Sequence, residues 1–496
     1  MSSKKKNLEV YLSEVYKQFI SIKDDDFKQA QEVFKGVFEQ VKQQMGEQCN
    51  YFKKYSSQVM NAGSVYDGLK VEKMDEFDMD IVIRLPINYG DGENGIIIES
   101  EMPGFVKLKI INAFDHLDKQ NEWETCHKVT REWRDPEKYF IQNKFRHWMH
   151  GVVQKALNAM DGRVTVNGVV YLLTFKKSGP AFTLIIKNDV DKKKFDLNVD
   201  LVPVIKFMYP RVPDGYRVIE GVSAKDWLVV PKPNKAISDN TLQNRCWRLS
   251  FQEQEREIIK GNQAMKTTIR LLKKLRNALQ MKAIASYYIK TLFLWKVEKE
   301  DKSYWQNKVS VLLLNMVEEF YNAVKIKNIP FFWNSSHNLI ETLKPTLQKV
   351  YMDKLRDVIT SIEEKDPDKL VSYLLTKDEL KEFYQKQSEL PNAPPQSVAS
   401  SASGSTLSLS GQVKALNCEV DGMRYNHNDK KLATLEAKIN DLADKVGMIE
   451  DRLARLERAE RVRQQTDYES TMSDVAGGAK GLVLDDKIEF DLLTLN

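Results

Sequence analysis

The stretch Met74-Asp-Glu-Phe-Asp-Met-Asp-Ile-Val-Ile83 decides the expected fold, because it joins alternating carboxylates to an apolar run. Side chains on a β-strand point to opposite faces in turn, so this spacing predicts a strand with Glu76, Asp78 and Asp80 on one face. Neighbouring carboxylates repel one another unless a cation lies between them. Oxygen ligands suit a hard divalent cation, and the stretch therefore predicts a magnesium site.

A Gly-Ser pair precedes this strand, at the end of a segment with a helical pattern. Gly63 lacks a Cβ atom and lets a phosphate approach backbone N–H groups, while the Ser64 hydroxyl adds a donor. Taken alone, a Gly-Ser pair is usually a turn and an acidic strand is usually a solvated face. Together, with Glu76 twelve residues after Ser64, they favour a nucleotidyltransferase site with two metal ions and an in-line displacement at phosphorus.

A third carboxylate is expected on a neighbouring strand. The segment Phe195-Asp-Leu-Asn-Val-Asp-Leu-Val-Pro203 alternates apolar and polar residues, which places Asp196 and Asp200 on one face, about 13 Å apart. Only one of the two can lie over a metal pair. Asp200 is the predicted ligand because the apolar run Leu201–Ile205 follows it directly, and Asp196 is expected at the rim.

Six motifs, in order between about residue 50 and residue 345, resemble those of cyclic GMP-AMP synthase and the animal cGAS-like receptors. They are Gly63-Ser64, Glu76-Phe-Asp78, Val199-Asp-Leu201, Cys246–Glu255, Ser286–Thr291 and Ile329–Asn334. The resemblance implies an α+β fold of the bilobal nucleotidyltransferase type, with a mixed β-sheet catalytic lobe and a helical lobe. It also implies a nucleic-acid-activated enzyme that makes a cyclic dinucleotide of the cyclic GMP-AMP type for a STING-type innate antiviral response.

The resemblance assigns ligands residue by residue. Mg²⁺ or Mn²⁺ is held by the catalytic carboxylates Glu76, Asp78 and Asp200. The implied ATP contacts are Ser64, Glu76, Asp78, Gln252, Glu255, Arg270, Ser286, Tyr287 and Lys290. The implied GTP contacts are Asp200, Arg248, Ser250, Gln252 and Glu255. Arg270 keeps the charge, but not the hydrogen-bond geometry, of the lysine usual in vertebrate relatives, and Tyr287 is expected to stack on a base.

Arg270 belongs to a cationic series on one predicted helix, and this series also contains Lys266, Lys273, Lys274 and Arg276. Such a series is usually a solvated face. Some of it is expected to face a triphosphate if the carboxylate site is real, because each nucleotide brings several negative charges into one cleft.

One departure from the vertebrate pattern concerns the activator. The vertebrate DNA sensor carries a zinc ribbon, whereas here Ile258–Ala264 joins two predicted helices with no cysteine or histidine. A structural zinc is therefore not expected at this point. Resemblance to invertebrate receptors without the ribbon implies double-stranded RNA as the partner, recognised by its A-form shape, phosphates and 2′-hydroxyl groups.

The composition fits an enzyme with a polyanionic partner. The chain has 496 residues and a net charge of +5; residues 391–496 contribute −4, so residues 1–390 carry +9. No apolar run approaches the roughly 20 residues that span a bilayer. The four cysteines form neither a metal pattern nor a disulfide framework. We expect a soluble cytoplasmic protein without a membrane segment.

The expected domains follow one another along the chain. They are an N-terminal helix with the catalytic core (1–215), a helical lobe (216–390), a disordered Pro/Ser-rich linker (391–428), a coiled coil (429–465) and a flexible tail (466–496). Apolar residues recur at alternating spacings of three and four from Leu432 to Leu456, which predicts self-association through heptads. A single helix packed on the enzyme is the alternative.

Apolar spacing also predicts individual elements. Helices are expected over 8–45, with a break near Asp24–Asp26, and over 143–157, and strands over 106–110, 164–175 and 181–186. Beyond Pro213 the pattern predicts mainly helix. Two other functions remain open: a catalytically silent, RNA-binding scaffold, and a synthetase of linear oligonucleotides.

Overall fold

The computed structural model of the protein describes residues 7–190 and 195–389, which form a mixed α+β fold. The helices are α1 (Leu8–Val15), α2 (Asp24–Gln48), α3 (Asn50–Tyr55), α4 (Gly63–Tyr66), α5 (Gln142–Ala159), α6 (Asn240–Arg245), α7 (Gln252–Ile258), α8 (Gln263–Ala278), α9 (Ser286–Lys299), α10 (Val309–Lys325), α11 (Pro345–Glu363), α12 (Pro367–Leu374) and α13 (Lys377–Glu389). The strands are β1 (Ser56–Ala62), β2 (Glu76–Ile83), β3 (Ile97–Glu99), β4 (Phe105–Lys109), β5 (Arg163–Val166), β6 (Val169–Ser178), β7 (Ala181–Asn188), β8 (Asp196–Phe207), β9 (Trp227–Val230), β10 (Cys246–Ser250), β11 (Pro330–Phe331) and β12 (Asn334–Asn338). The predicted linker, coiled coil and tail lie outside the described residues.

One large mixed sheet organises the catalytic part. Its main order is β3-β4-β10-β9-β8-β7-β6-β5, and β2 joins it by pairing with β8 and with β1. The β2–β8 pair is parallel, whereas the other pairs of described strands in this sheet are antiparallel. β2 and β8 are the two strands on which the sequence predicts the catalytic carboxylates.

The core lies on one face of β2. Phe77, Met79 and Ile81 are at most 3% exposed, and Phe34 of α2 stacks on Phe77 with ring centroids 4.6 Å apart. Helix α5 packs against β7 and β8. Because alternate residues of a strand point in opposite directions, Glu76 and the other even-numbered residues of β2 lie on the face away from this core.

The helical part is built from α8 to α12 and the N-terminal helix. Helix α10 packs against α8 and α11, and α12 packs against α8 and α1. The break predicted near Asp24–Asp26 is confirmed: a π-helical turn at Tyr16–Ile20 follows α1, and the three aspartates form the first turn of α2. Carboxylates there face the positive end of the helix dipole. None of the described helices is long and apolar enough to cross a bilayer.

Two expectations about local structure need correction. The segment 164–175 is a hairpin of β5 and β6 rather than one strand, because Asn167 and Gly168 take φ values of 49° and 78° at the turn. Beyond Pro213 the chain is mainly helical, but it also supplies β9 and β10 to the large sheet. The sheet therefore extends past residue 215.

Candidate active site

The register of the parallel β2–β8 pair brings three predicted residues together. Asp78 lies beside Asp200, and Glu76 lies beside Asn198. As a result, one carboxylate oxygen from each of Glu76, Asp78 and Asp200 lies within 4.8 Å of the others. We call these three residues the carboxylate trio. Three such oxygens, half-buried and on one face, fit a hard divalent cation.

The trio carries more negative charge than its protein surroundings balance. Burial, with the charges of Glu76 and Asp200, raises the pKa of Asp78 to about 6. Burial also raises the pKa of Asp200, which accepts a 2.5 Å hydrogen bond from the Thr183 hydroxyl. The Lys70 ammonium lies 3.2 Å from Glu76. Further positive charge would relieve the repulsion, as a bound metal ion does.

Two neighbouring acids differ from the trio. Asp80 shares its face of β2 but is only 6% exposed, and burial together with Asp78 raises its pKa to about 7. Asp196, the predicted rim residue, is exposed and pairs with Lys187 at 3.2 Å. Of the two aspartates on β8, it is thus Asp200 that approaches Glu76 and Asp78.

The Gly-Ser turn lies directly against the trio. Gly63 has φ of +70°, which residues with a Cβ atom rarely adopt, and a Cβ atom there would lie 1.7 Å from Asp78 Oδ2. Glycine is therefore required both by the backbone and by the space that Asp78 occupies. Ser64 follows in the first turn of α4 and lines a cavity beside the site.

That cavity, of about 250 Å³, brings together two predicted nucleotide contacts, Ser64 and Ser286. Lys273 and Arg276 of α8 also line it, and they supply positive charge. The sequence analysis placed both in the cationic series without assigning either to a nucleotide. Their spacing of three residues, which puts side chains on one helix face, is the signal that could have found them.

Arg270 forms hydrogen bonds with the protein itself, at Gly68 and Tyr16. Its Nε donates to the carbonyl oxygen of Gly68 at 2.8 Å, and its Nη1 donates to the Tyr16 hydroxyl. Lys273 donates to the carbonyl oxygen of Leu69 at 2.6 Å, and burial, with nearby Lys70, lowers the pKa of Lys273 to about 8. Both cations thus hold residues 67–75, the connecting loop between α4 and β2. A phosphate contact of Arg270 remains a prediction.

Two other predicted ATP contacts form part of a buried ion-pair network, composed of Asp67, Glu255, Arg256 and Lys290. The Lys290 ammonium lies 2.6 Å from Asp67 and 3.0 Å from Glu255, and Arg256 lies 3.2 Å from Asp67. Burial alone would lower the pKa of Lys290, but Glu255 and Asp67 raise it. Each charge in this network faces an opposite one, so it needs no external ion.

Glu255 is also bound at its other oxygen, by Tyr287 and Trp333. The Tyr287 hydroxyl donates to Glu255 Oε1 at 2.7 Å, and the Trp333 indole donates to the same atom at 2.9 Å. Both carboxylate oxygens of Glu255 are therefore occupied by protein donors. Nucleotide contacts of Glu255, Tyr287 and Lys290 remain predictions, and sequence reasoning missed Asp67 as their partner.

The predicted GTP contacts lie along β10 and the start of α7. Arg248 and Ser250 alternate on β10 and share one face, and Gln252 begins α7. The Arg248 guanidinium lies 5.3 Å from the ring centroids of both Phe105 and Phe331. No carboxylate among the described residues lies within 4.0 Å of it. Contacts of these residues with GTP remain predictions.

Comparison with known proteins identifies the class. Residues 65–261 match the Mab-21 protein nucleotidyltransferase domain, and residues 264–357 match the Mab-21 protein HhH/H2TH-like domain. The first match contains all three trio carboxylates, and the protein is a nucleotidyltransferase. The first match ends at residue 261 and includes β9 and β10 of the large sheet.

Several curated relatives cover most of the chain. Cyclic GMP-AMP synthase-like receptors of Ctenocephalides felis, Aethina tumida and Tribolium castaneum are 33%, 32% and 32% identical over 396, 412 and 409 residues. The alignments cover 76%, 81% and 81% of this chain and 90%, 98% and 100% of the relatives. The chain belongs to the family of cyclic GMP-AMP synthase-like receptors.

Proposed function

We propose that this nucleotidyltransferase joins ATP and GTP into a cyclic dinucleotide of the cyclic GMP-AMP type when it binds double-stranded RNA. The observation that carries the proposal is the carboxylate trio, which lies against the Gly63-Ser64 turn. The relatives' name, cyclic GMP-AMP synthase-like receptor, supports the product and the receptor role. The product would act in the cytoplasm on a STING-type antiviral response.

In this mechanism Glu76, Asp78 and Asp200 would hold Mg²⁺ or Mn²⁺. A metal ion held there would supply activation of the attacking ribose hydroxyl and stabilisation of the leaving pyrophosphate. Ser64 and Ser286 donate hydrogen bonds to the triphosphate, and Lys273 balances its charge from the same cavity. Each of two displacements forms one phosphodiester bond and releases one pyrophosphate, so the product is cyclic.

The remaining predicted contacts orient the two bases and sugars. Arg248, Ser250 and Gln252 bind the acceptor nucleotide, and the ring of Tyr287 stacks on the donor base. The helix around Arg270 and the Gly63-Ser64 turn take their competent arrangement when RNA binds, which is a shift between existing populations. The excess of positive charge in residues 1–390 favours a polyanionic activator. Self-association through residues 432–456 would gather catalytic units on one RNA.

Mass spectrometry of the reaction products tests this proposal. Purified full-length protein is incubated with ATP, GTP and Mg²⁺ or Mn²⁺, without nucleic acid, with double-stranded RNA and with double-stranded DNA. We expect a cyclic dinucleotide with RNA, and none from the Asp78→Asn variant under the same conditions. A linear product would overturn cyclisation in favour of an oligonucleotide synthetase, and RNA binding without any product would favour the scaffold.

A further inference from the structure

The connecting loop has to keep the Gly-Ser turn and the trio in a fixed relation, because it joins Ser64 on α4 to Glu76 on β2. Its backbone is unusual at Glu72, which has φ of +71° although it is not glycine. Such a backbone persists where surrounding contacts hold it. The Glu72 N–H donates to the carbonyl oxygen of Ile20 at 3.2 Å, and its carboxylate lies 3.1 Å from Lys274.

Lys274 of α8 is a buried ammonium with two carboxylate partners. Its side chain is 2% exposed, and its Nζ lies 3.1 Å from Glu72 and 2.5 Å from Glu379. A buried charge is costly unless opposite charges surround it, so the three side chains depend on one another. Glu72 belongs to the connecting loop and Glu379 to α13. Lys274 therefore ties a distant helix to the loop.

Glu379 is itself held in place by the start of α13. Its second carboxylate oxygen accepts a 2.8 Å hydrogen bond from the Thr376 N–H, which is half of a capping box. Burial alone would raise the pKa of Glu379, but hydrogen bonds from Lys274 and Thr376 lower it. The contacts with Lys274 and Thr376 thus fix the Glu379 carboxylate at the start of α13.

Helix α13 is docked on the N-terminal segment that also contacts the loop. Phe383 is fully buried, and its ring centroid lies 5.9 Å from that of Tyr11 and 6.3 Å from that of Phe19. Ile20, whose carbonyl oxygen binds Glu72, follows Phe19. The N-terminal segment therefore contacts Glu72 directly, through Ile20. Helix α13 contacts Glu72 indirectly, through Lys274.

We propose that Lys274 is a positioning residue for nucleotidyl transfer, which fixes the connecting loop by bridging Glu72 and Glu379 while α13 is docked. The bridge sets the placement of Ser64 relative to the trio without touching a substrate. Arg270 and Lys273 also hold the loop, through the backbone carbonyl oxygens of Gly68 and Leu69, and Arg270 donates in addition to the Tyr16 hydroxyl. Lys274 differs from both because it binds a carboxylate of the loop and a carboxylate of α13. The inference rests on the proposed function for its activity measurement alone.

The test compares Lys274→Met, Glu379→Gln and their double variant with wild type. Glu382→Gln is the matched control, since Glu382 lies on the same helix in an exposed pair with Lys386 at 2.6 Å. Hydrogen–deuterium exchange of residues 67–75 and Mn²⁺ affinity by calorimetry need no activator. The other two measurements are the midpoint of thermal unfolding and kcat in the presence of RNA.

Lys274→Met should speed exchange in the loop, weaken Mn²⁺ binding and lower kcat by about tenfold or more, because small displacements of catalytic groups are costly. The double variant removes Glu379, the more buried of the two carboxylates that lose Lys274, and it should recover most of the midpoint of unfolding while exchange and kcat stay impaired. Glu382→Gln should match wild type in every measurement.

Recovery of kcat together with thermal stability in the double variant would overturn the proposal, because the bridge would then be only structural. Unchanged loop exchange in Lys274→Met would overturn it as well. If wild type makes no dinucleotide with any nucleic acid, the proposed function fails, while loop exchange and Mn²⁺ affinity still decide the role of Lys274.

Discussion

The carboxylate trio and the buried ion-pair network both contain closely spaced carboxylates, yet the charges of these carboxylates are balanced in different ways. In the network, Lys290 and Arg256 contact the carboxylates of Asp67 and Glu255. In the trio, Lys70 contacts Glu76 alone. No cation among the described residues lies within 4.0 Å of the other two carboxylates. The network is therefore a self-balanced structural element, whereas the trio, which is short of positive charge, is the candidate metal site.

The largest expected effect is the loss of activity in Asp78→Asn. Removing a metal ligand should lower the rate of pyrophosphate release about a thousandfold or more, since a metal contributes several kcal/mol of transition-state stabilisation. Stability without metal should not fall, because one of three repelling carboxylates is removed. Thermal unfolding in EDTA checks the second point, and activity within tenfold of wild type would refute the assignment of Asp78.

Lys290→Met should have the next largest effect, on stability. The substitution leaves the buried carboxylates of Asp67 and Glu255 without the Lys290 ammonium. Removing one partner of a buried ion pair costs about 3–5 kcal/mol of unfolding free energy. Denaturant unfolding measures the change. Lys70→Met is the matched control: its partners Asp75 and Glu76 are 51% and 45% exposed, so less than about 1 kcal/mol is expected. Equal losses in the two variants would remove the contrast between the clusters.

Divalent metal should stabilise the trio and leave the network unaffected. At a concentration one hundred times the dissociation constant, Mn²⁺ should add about 2.7 kcal/mol to the free energy of unfolding. The gain should persist in Lys290→Met and disappear in Asp78→Asn. A scan of unfolding midpoints against Mn²⁺ concentration measures it, and an undiminished gain in Asp78→Asn would place the metal elsewhere.

Asp196→Asn should have the smallest effect, although Asp196 shares the strand and the face of Asp200. Its exposed pair with Lys187 is expected to contribute about 0.5 kcal/mol or less. Activity should stay close to that of wild type, as measured by pyrophosphate release. A loss comparable to that of an Asp200→Asn variant would extend the metal site along β8.

The trio could be predicted from the sequence because strand periodicity alone decides which side chains share a face. Asp200, rather than Asp196, follows from the apolar run behind it, which enters the core. The pairing that puts Asp78 beside Asp200 was not predictable in detail, since it depends on strand register. Only the structure shows how closely the carboxylates approach one another.

The network could not be recognised in the same way. Glu255 and Lys290 have the residue types expected of ligand contacts, and their partners Asp67 and Trp333 lie far away in the sequence. Lys273 and Lys274 looked like part of a solvated cationic face, but both are buried, because the connecting loop lies over them. The hairpin turn at Asn167-Gly168 could have been predicted from its two residue types. The positions of the short strands β9 and β10, in contrast, are set by pairing with neighbouring strands.

The parallel pairing of β2 and β8 also bears on the order of events during synthesis. Glu76 and Asp78 leave the ribosome long before Asp200, and the third carboxylate reaches them only when β8 has joined the sheet. A metal ion held by the trio would therefore give little help to early folding, and it would favour chains whose sheet is already assembled. A fragment that ends before β8 has two of the three carboxylates, so a metal that binds the trio would distinguish finished molecules from incomplete ones in a mixed preparation.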